Sequence, residues 1–460
     1  MSLLSRESSQ PLTEQLAQRF VTRIRDQLLV SGARLPSVRQ CAQMHGVSAS
    51  TVVAAYDWLV AQGWVEARPN RGFFVRDRVQ RTLPATAAVN EVPNPPPVNA
   101  SSLIRGMFHQ PSAEPQPGMG VFPADWLDAD FLSAALRESS LRYGEPQGDS
   151  GLREVLSSKL ASLGLHATPG QLITTVGATH ALDIVSRTLL RPGDCVMVEE
   201  PGWAIEFARL QNLGVRILPV PRLETGPDLD VVERYAQLHA PKMMVSVSVL
   251  HNPTGYGVSL PCAHQLVNLA HRYNFHVVED DTYGHMAAAH AVRLSVLDGL
   301  QKTIYVSGYA KILAPSWRVG YMAVPSDLKD AFLDTKLLST LTTPVLFEKA
   351  LALCLEQGAI RRHTERLSQL LDAARSRSVK LALAHGCQFV APPQGLFGWV
   401  DVGVDTDLLA LRMHDAGYLL APGSLFHADR RPGSFMRVNF ASTQDDKFWR
   451  ALAKVRAQLL

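Results

Sequence analysis

Short apolar segments alternate with helical stretches through the middle of the chain, and this alternation constrains the fold more than any other feature. Six such segments span residues 172–176, 196–199, 215–220, 243–249, 276–280 and 304–307. Short apolar runs of this kind are typical of strands buried on both faces, and helices between them are the usual crossovers of a parallel sheet. The pattern therefore predicts an α/β fold with a largely parallel sheet covered by helices.

Beyond residue 330 the pattern changes to long helices, short strands near residues 397–400 and 435–440, and a final helix. At 460 residues the chain is too long for one ordinary core and suits two or three packed units. We therefore expect a large domain over residues 113–330 and a smaller α+β domain over residues 331–460. Residues 79–112 are rich in Pro, Ala, Asn and Val, which predicts an extended, semi-rigid linker.

The first 78 residues predict a small helical module that ends in two strands. Apolar residues recur at helical spacing through residues 12–30. A short second helix opens at Ser37, and a third helix, capped by Ser48, follows a glycine turn. Residues 64–75 then indicate two short strands joined by a turn. This order of elements predicts a winged helix-turn-helix domain over residues 1–78.

This amino-terminal module is strongly basic. Residues 1–78 hold ten arginines, no lysine and six acidic residues, whereas the whole chain has a formal net charge of only +3. A positive surplus on one small module attracts a polyanion. The charge distribution therefore favours contact between this module and a nucleic acid.

Composition excludes several other classes of protein. No apolar run approaches the roughly 18 residues that a membrane span needs, so we expect no membrane association. The first ten residues lack the apolar core of an export signal, so we expect a cytoplasmic location. The five cysteines are far apart and show neither a Cys-x-x-Cys pair nor a His/Cys cluster, which argues against disulfides and metal sites.

Three strings in the basic module carry a specific resemblance. They are Leu35-Pro36-Ser37-Val38-Arg39, Gly46-Val47-Ser48-Ala49-Ser50-Thr51-Val52 and Ala55-Tyr56-Asp57-Trp58-Leu59, with Arg71-Gly72 in the wing. In this order they resemble the GntR family of regulators, which implies double-stranded operator DNA as the partner. Helix starts with small hydroxyl side chains enter a major groove, and arginines bind phosphates or guanine edges. The residues expected at the DNA are Arg34, Ser37, Arg39, Ser48, Ser50, Thr51, Arg71 and Gly72.

One position of the recognition helix departs from the GntR pattern. Many relatives carry Arg where this chain has Ala49, so no base preference is carried over. A winged helix used for protein contact is the alternative interpretation of this module. The surplus of arginine favours contact with DNA phosphates instead.

Six motifs of the larger part follow strands or open helices. They are Thr175-Val176-Gly177-Ala178-Thr179-His180, Glu200-Pro201-Gly202-Trp203, His251-Asn252-Pro253-Thr254-Gly255, Val277-Val278-Glu279-Asp280-Asp281-Thr282-Tyr283, Ser307-Gly308-Tyr309-Ala310-Lys311 with Pro315-Ser316-Trp317-Arg318-Val319-Gly320-Tyr321, and Met436-Arg437-Val438-Asn439-Phe440. Their order resembles that of fold type I aminotransferases over nearly all of residues 118–460. This resemblance implies pyridoxal 5'-phosphate as the cofactor.

Lys311 is the central residue of this resemblance. It occupies the position of the family's Schiff-base lysine, and Arg318, seven residues later, that of a phosphate-binding arginine. A lysine must be partly deprotonated to attack an aldehyde, and an apolar site beside other cations lowers its pKa. We therefore predict a lowered pKa for Lys311.

The motifs before Lys311 imply further contacts with the cofactor. Backbone N–H groups at Ala178 and Thr179 open a helix and would face the phosphate. Trp203 is expected to stack on the pyridine ring, although a tryptophan of the core fits the same string. Asn252 is expected to donate to the phenolic oxygen, although an Asn-Pro turn that caps a helix also fits.

The strand at residues 276–280 ends in a carboxylate that is costly to bury without a partner. The spacing to Tyr283, another expected cofactor contact, selects Asp280 as the partner of the pyridine nitrogen, while Asp281 serves local structure. A carboxylate beside that nitrogen keeps it protonated, and the ring then acts as an electron sink.

The chain also departs from the aminotransferase pattern next to the lysine. Relatives usually place Ser or Thr three residues before the lysine and Ser directly before it, where this chain has Gly308 and Ala310. Ser307 is our candidate to supply the lost hydroxyl.

In the last motif, Arg437 matches a family arginine whose guanidinium binds a carboxylate through two parallel hydrogen bonds, which implies an amino-acid-like ligand. Phe397 stands where many regulators of this kind have His, a position that shapes ligand choice.

The segment Arg142-Tyr143-Gly144-Glu145 resembles the family segment whose tyrosine reaches the cofactor of the neighbouring subunit. Tyr143 would then require a homodimer, and the alternative is a packed tyrosine before a helix. Together, the two halves of the chain resemble the MocR-type subfamily of GntR regulators. That resemblance implies a homodimer with DNA-binding heads swapped across the partner's large domain.

The function implied by this resemblance is transcription regulation. The aminotransferase-like domain would hold the cofactor on Lys311, sense an amine or amino-acid effector, and re-aim the DNA-binding heads. One alternative is a working aminotransferase with an appended head. Another is a domain that keeps the fold without the cofactor and serves only to dimerise, which the Gly308 and Ala310 departures favour.

Overall fold

The computed structural model describes residues 11–25, 29, 31–68, 71–76, 116–118, 120, 122–123, 126 and 143–460. The predicted linker, residues 79–112, and the tip of the predicted wing, Pro69 and Asn70, lie outside these residues.

The amino-terminal module, called the head below, is a winged helix-turn-helix, as predicted. Its elements are α1 (Leu12–Arg25), α2 (Val38–His45), α3 (Ala49–Ala61), β1 (Val65–Arg68) and β2 (Gly72–Val75). The two strands pair antiparallel. Ser37 Oγ accepts from Gln40 N at the start of α2, and Ser48 Oγ accepts from Thr51 N at the start of α3. The predicted helix start at Ser37 and the predicted cap at Ser48 are confirmed, because these side chains satisfy N–H groups that the first turn leaves free.

The large domain is a sheet covered by helices. Its helices are α4 (Ser150–Ser162), α5 (Ala178–Leu189), α6 (Ala204–Asn212), α7 (Leu229–His239), α8 (Leu260–Tyr273) and α9 (Leu294–Asp298). Its strands are β3 (Leu172–Thr175), β4 (Cys195–Glu200), β5 (Arg216–Leu223), β6 (Gly226–Pro227), β7 (Met243–Ser246), β8 (His276–Asp280), β9 (Thr303–Gly308) and β10 (Gly320–Ala323).

The order of the strands is β3-β10-β9-β8-β7-β4-β5-β6. Strands β9, β8, β7, β4 and β5 run parallel, whereas β10 is antiparallel to both of its neighbours. The predicted α/β class with a mostly parallel sheet is therefore confirmed. Ligand sites of such sheets form beyond the carboxyl ends of the parallel strands.

The carboxyl-terminal part contains helices and a small antiparallel sheet. The helices are α10 (Lys329–Thr340), α11 (Val345–Glu356), α12 (Ala359–Ala384), α13 (Thr406–Asp415) and α14 (Asp446–Arg456). The strands are β11 (Gln388–Phe389), β12 (Phe397–Asp401), β13 (Ala421–Pro422) and β14 (Phe435–Asn439), in the order β11-β12-β14-β13. One buried apolar cluster joins Leu156 and Tyr309 of the large domain to Trp399 and Trp449 of this sheet and its helices. Among the described residues, no helix is both long and apolar enough to cross a membrane.

The head lies against α13 of the same chain. Arg19 and Arg23 on α1 are 8% exposed, and both form ion pairs with Asp415 at the end of α13. The two largely buried arginines have the carboxylate of Asp415 on the small domain as the partner that compensates their charge. The arrangement that the resemblance implied, with each head across the large domain of a partner, needs a second chain and stays a prediction.

Candidate functional site

A pocket opens where the large-domain strands end. The last residues of β8 and β9 and the segments that follow β3, β4, β7, β8 and β9 supply its lining, which is Ala178, Thr179, Trp203, Val247, Asn252, Asp280, Thr282, Tyr283, Gly308, Ala310, Lys311 and Arg318. The structure thus brings together the residues predicted to contact a cofactor, except Ser307 and Tyr143.

One corner of the pocket is shaped to bind an anion. The first turn of α5, with Ala178 and Thr179, lines it, and N–H groups in a first turn have no partner within the helix. Arg318 Nη2 donates to Val176 O at 3.1 Å, and a Cβ at Gly177 would lie 2.5 Å from that nitrogen. Gly177, with φ of 79°, therefore leaves room for the guanidinium. A cation beside a helix amino terminus fits a phosphate group.

Lys311 lies in the pocket with a lowered pKa. Its Nζ donates to Gly120 O at 3.0 Å and lies 5.8 Å from the centre of the Tyr283 ring. Burial, followed by the nearby charges of Arg437 and Arg318, lowers the pKa of Lys311 to about 8. The predicted lowering is therefore confirmed, and its causes are those expected for an enclosed site beside other cations.

The lowered pKa makes the reaction of Lys311 with an aldehyde depend on pH. At pH 7.5 a lysine with a pKa of 8 has about a quarter of its amine neutral, against roughly one part in a thousand for an unperturbed lysine. Because only the neutral amine attacks, we expect the rate of covalent loading with pyridoxal 5'-phosphate to rise up to about pH 8 and then level off. Stopped-flow absorbance of the cofactor-free protein measures this profile, with N-acetyl-lysine as the control. A rate that rises through pH 10, as for the control, would contradict the lowered pKa.

A partly buried carboxylate lies in the same pocket. Burial raises the pKa of Asp280 to about 6, and Thr282 N donates to its Oδ1 at 3.0 Å. Asp281 lies in the core, where Arg293 Nε (2.8 Å) and Tyr305 OH (2.6 Å) donate to its Oδ2. The local structural role predicted for Asp281 is thus confirmed. Thr282 was not among the predicted site residues, although its place two residues after Asp280 permits this local hydrogen bond.

Arg437 is buried without a carboxylate partner among the described residues. Its Nη1 donates to Asn252 Oδ1 at 3.1 Å, and its Nε lacks a hydrogen-bond partner in that part of the chain. The guanidinium carbon lies 4.4 Å from the centre of the Phe397 ring and 5.3 Å from that of Phe426. A buried arginine without an anion is costly, so the arrangement fits a ligand that supplies a carboxylate.

Two backbone carbonyls from before the large-domain sheet reach this site, and the sequence had not indicated them. Gly118 O accepts from Arg437 Nη2 at 2.8 Å, and Gly120 O accepts from Lys311 Nζ. A Cβ at Gly120 would lie 3.6 Å from the Phe397 ring, 3.8 Å from Arg437 Nη2 and 3.8 Å from Lys311 Nζ. We call residues 116–118 and 120 the strap. Their glycines signal a turn, but no local pattern predicts contacts so far along the chain.

Ser307 does not face the pocket, so its predicted cofactor contact is wrong. Successive side chains of a strand point to opposite sides, and Ser307 Oγ donates to Asp281 O in the core at 3.1 Å. Gly308 is the residue of β9 that lines the pocket. A Cβ there would lie 3.2 Å from both Gly320 Cα and Val319 O, so a side chain at this position would need small shifts of the neighbouring backbone.

Tyr143 lies outside the pocket and is 86% exposed. Its predicted reach towards a neighbouring subunit needs a second chain, and stays a prediction. Arg142, in the same string, lies outside the described residues.

The predicted DNA-contact residues lie on the surface of the head. Arg34, Arg39 and Arg71 are exposed and have no ion-pair partner among the described residues. Ser48 Oγ lies 2.7 Å from both Ser50 Oγ and Thr51 Oγ1, which clusters three hydroxyls at the start of α3. The start of a recognition helix is the part that enters a major groove.

Gly72 supports the wing in a way that the sequence did not indicate. Its φ is 101°, and a Cβ there would lie 3.4 Å from Arg34 Nε. Glycine therefore allows the left-handed backbone and the approach of Arg34 to the wing.

Two known families match separate parts of this chain. The family described as "Aminotransferase class I and II" matches residues 122–455. The family described as "Bacterial regulatory proteins, gntR family" matches residues 12–75, which form the head.

Several known proteins are similar to this chain over most of their own length. "Uncharacterized HTH-type transcriptional regulator YisV" of Bacillus subtilis is 24% identical over 96% of this chain and 95% of its own. "Probable rhizopine catabolism regulatory protein MocR" of Rhizobium meliloti is 28% identical over 84% of this chain and 80% of its own. Among solved structures, LysN, an α-aminoadipate aminotransferase from Thermus thermophilus complexed with N-(5'-phosphopyridoxyl)-L-leucine, has a TM-score of 0.71. The two chains are 22% identical, and the match covers 78% of this chain and 95% of LysN. This similarity shows the fold alone.

Proposed function

The chain belongs to the aminotransferase class I and II family and carries a GntR-family DNA-binding head, and from this premise we propose that it is a transcription regulator that senses an amine or amino acid through pyridoxal 5'-phosphate held on Lys311. The observation that carries the proposal is the convergence of Lys311, Arg318 and Asp280 in one pocket of a chain with a head. The similarity of this chain to HTH-type regulators over most of its length supports a regulatory role.

Each residue of the pocket has a distinct task in this proposal. Pyridoxal 5'-phosphate supplies an aldehyde that condenses reversibly with amines. Lys311, with its pKa of about 8, presents a neutral amine at neutral pH. Arg318 and the start of α5 hold the phosphate, Trp203 covers the ring, and Asp280 keeps a proton on the ring nitrogen.

Asn252 and Arg437 complete the ligand site. Because Asn252 Oδ1 accepts from Arg437, its amide NH₂ is left to donate to the phenolic oxygen. Arg437 holds the carboxylate of the effector as a fork, and Tyr283 and Phe397 pack edge to face beside it, with ring centres 5.2 Å apart. The effector is thus an amine that also carries a carboxylate.

The regulator acts as a homodimer in this proposal. Tyr143, which is 86% exposed, is free to reach the site of a second subunit. A two-fold arrangement of heads matches paired half-sites or direct repeats in operator DNA.

A second candidate function is a working aminotransferase with an appended head. The observation that favours it is that Asp280, Tyr283 and Lys311 share one pocket, which suffices chemically for proton transfer. Turnover with amino and keto acids separates the two candidates. A rate of roughly one per second or more supports the enzyme, and a rate far below that supports the sensor.

The DNA-binding part of the proposal predicts a specific salt dependence. In Arg39→Ala or Arg71→Ala, we expect the slope of log affinity against log salt for duplex DNA to become shallower by about 1, because one phosphate contact is lost. Fluorescence anisotropy at several salt concentrations measures the slope. Arg361→Ala removes an exposed arginine of α12 and is the matched control. An equal change in all three variants would indicate a general loss of charge and contradict a DNA face on the head.

A further inference from the structure

Two arginines of the head contact the small domain. Arg23 forms an ion pair with Asp415, and its Nη2 donates to Leu411 O at 3.4 Å. Arg19 Nε lies 3.7 Å from Asp415 Oδ1, and its Nη2 donates to Asp415 O at 3.3 Å. Both side chains are about as buried as core residues, so they are not available to DNA phosphates. Their role is therefore separate from that of the exposed arginines of the head.

Asp415 is the only carboxylate that forms an ion pair with these two arginines in the part of the chain that the structure describes. Its side chain is 23% exposed, against 9% and 10% for those of Arg19 and Arg23. Removing one partner of a largely buried ion pair leaves uncompensated charge, which costs more than the loss of a surface pair. Asp415 therefore compensates the charge of both arginines where the head contacts α13.

The turn directly after Asp415 holds the strap. Gln116 Nε2 donates to Gly417 O at 3.1 Å, and Gln116 Oε1 accepts from Leu419 N at 3.1 Å. Gly118 N donates to Leu419 O at 2.7 Å. The approach is so close that a Cβ at Gly118 would lie 2.8 Å from Leu419 O. The strap and residues 415–419 are thus fastened together.

The strap in turn contacts the effector site. Gly118 O accepts from Arg437 Nη2, and Gly120 O accepts from Lys311 Nζ. A carboxylate that binds Arg437 side-on accepts from Nη2 and from Nε, which has no hydrogen-bond partner among the described residues. Because Nη2 already donates to Gly118 O, the carboxylate competes with that carbonyl. A ligand on Lys311 and Arg437 therefore disturbs both bonds that hold the strap to the pocket.

We propose that residues 415–419, called the relay segment below, pass the state of the effector site to the head. The head is docked on one end of this segment through Asp415, and the strap is bonded to the other end through Gly417 and Leu419. A carboxylate ligand shifts the strap, the strap shifts the relay segment, and the head changes its orientation. The effect is limited to the difference in the ligand's affinity for the two arrangements. This inference rests on the function proposed above.

The docking contact is tested by reversing its charges in the full-length protein loaded with pyridoxal 5'-phosphate. We expect amide hydrogen exchange over α1 to become about tenfold faster in Asp415→Arg, because the ion pairs become repulsive. Adding Arg19→Asp and Arg23→Asp to that variant restores opposite charges, and we expect slow exchange to return. Asp330→Arg, at an exposed position of α10, is the matched control. Unchanged exchange in Asp415→Arg would overturn the docking contact.

The relay is tested with the reduced adduct of pyridoxal 5'-phosphate and L-alanine, which carries both a phosphate and a carboxylate. In the wild type we expect the adduct to change exchange over α1 and the relay segment at least about threefold relative to the cofactor alone. In Asp415→Arg we expect the adduct to bind, as seen by absorbance, while the response of α1 is lost. Binding in the wild type without a response of α1 overturns the relay and leaves the proposed function intact. Failure of both the cofactor and the adduct to bind overturns both.

Discussion

Lys311→Ala is expected to abolish covalent attachment of pyridoxal 5'-phosphate, from about one group per chain to none. The visible absorbance of the wild type mixed with the cofactor should be absent in the variant, and borohydride should attach nothing to it. The physical reason is that Lys311 is the lysine that lines the pocket and has a lowered pKa. Absorbance spectra before and after reduction, followed by peptide mapping of the reduced protein, measure this.

The chain provides a matched control for this experiment. Lys336 is also buried, and burial lowers its pKa to about 8. Its Nζ donates to Thr174 Oγ1 at 3.4 Å, and the residue lies outside the pocket. Lys336→Met should keep the attachment, even if its melting temperature falls, because a low pKa without the surrounding anion site does not hold the cofactor. Attachment that maps to Lys336, or that survives in Lys311→Ala, would show that the assignment of the lysine is wrong.

Arg437→Gln is expected to weaken binding of amino acids to the cofactor-loaded protein by about a hundredfold. The loss is large because the fork of a buried guanidinium is replaced by a neutral amide in a site with two aromatic rings. Arg437→Lys keeps the charge without the planar fork, so an intermediate loss of about tenfold is expected. Titration of the cofactor absorbance with a panel of L-amino acids gives the dissociation constants.

The controls for Arg437→Gln are a second ligand without a carboxylate and a second variant. Propylamine lacks a carboxylate, so its affinity should change little in Arg437→Gln, whereas that of L-alanine falls. Arg375→Gln, which alters an arginine on α12 outside the pocket, should leave both ligands unaffected. Equal losses for propylamine and L-alanine would mean that Arg437 supports the fold of the site and does not recognise the carboxylate.

Strand positions and helix caps were predictable because their signals are local. The segment predicted at residues 276–280 is β8 (His276–Asp280), a helix opens at Ser37 as expected, and Ser48 caps the next helix as expected. Apolar periodicity and capping depend on residues within a few positions of one another. The lysine of the pocket was predictable for a related reason, since its flanking string resembles a known one.

The face on which a side chain emerges was harder to predict. Ser307 and Gly308 are adjacent in the sequence, yet Ser307 donates into the core and Gly308 lines the pocket. Because the period of a strand is two residues, an error of one position reverses the assignment. The hydroxyl of Ser307 looked suitable by composition, and only the register of β9 against β10 places it out of reach.

The sequence by itself determined the order of the elements, the winged head, the mostly parallel sheet and the choice of Lys311 as a residue of the pocket, because the signal for each lies in neighbouring residues. The tertiary structure alone decided which distant groups meet. Gly120 reaches Lys311 across 191 positions, Gly118 reaches Arg437 across 319, and Arg19 reaches Asp415 across 396. Such contacts arise when packed domains bring buried charges to the partners that compensate them, and no local pattern encodes that choice.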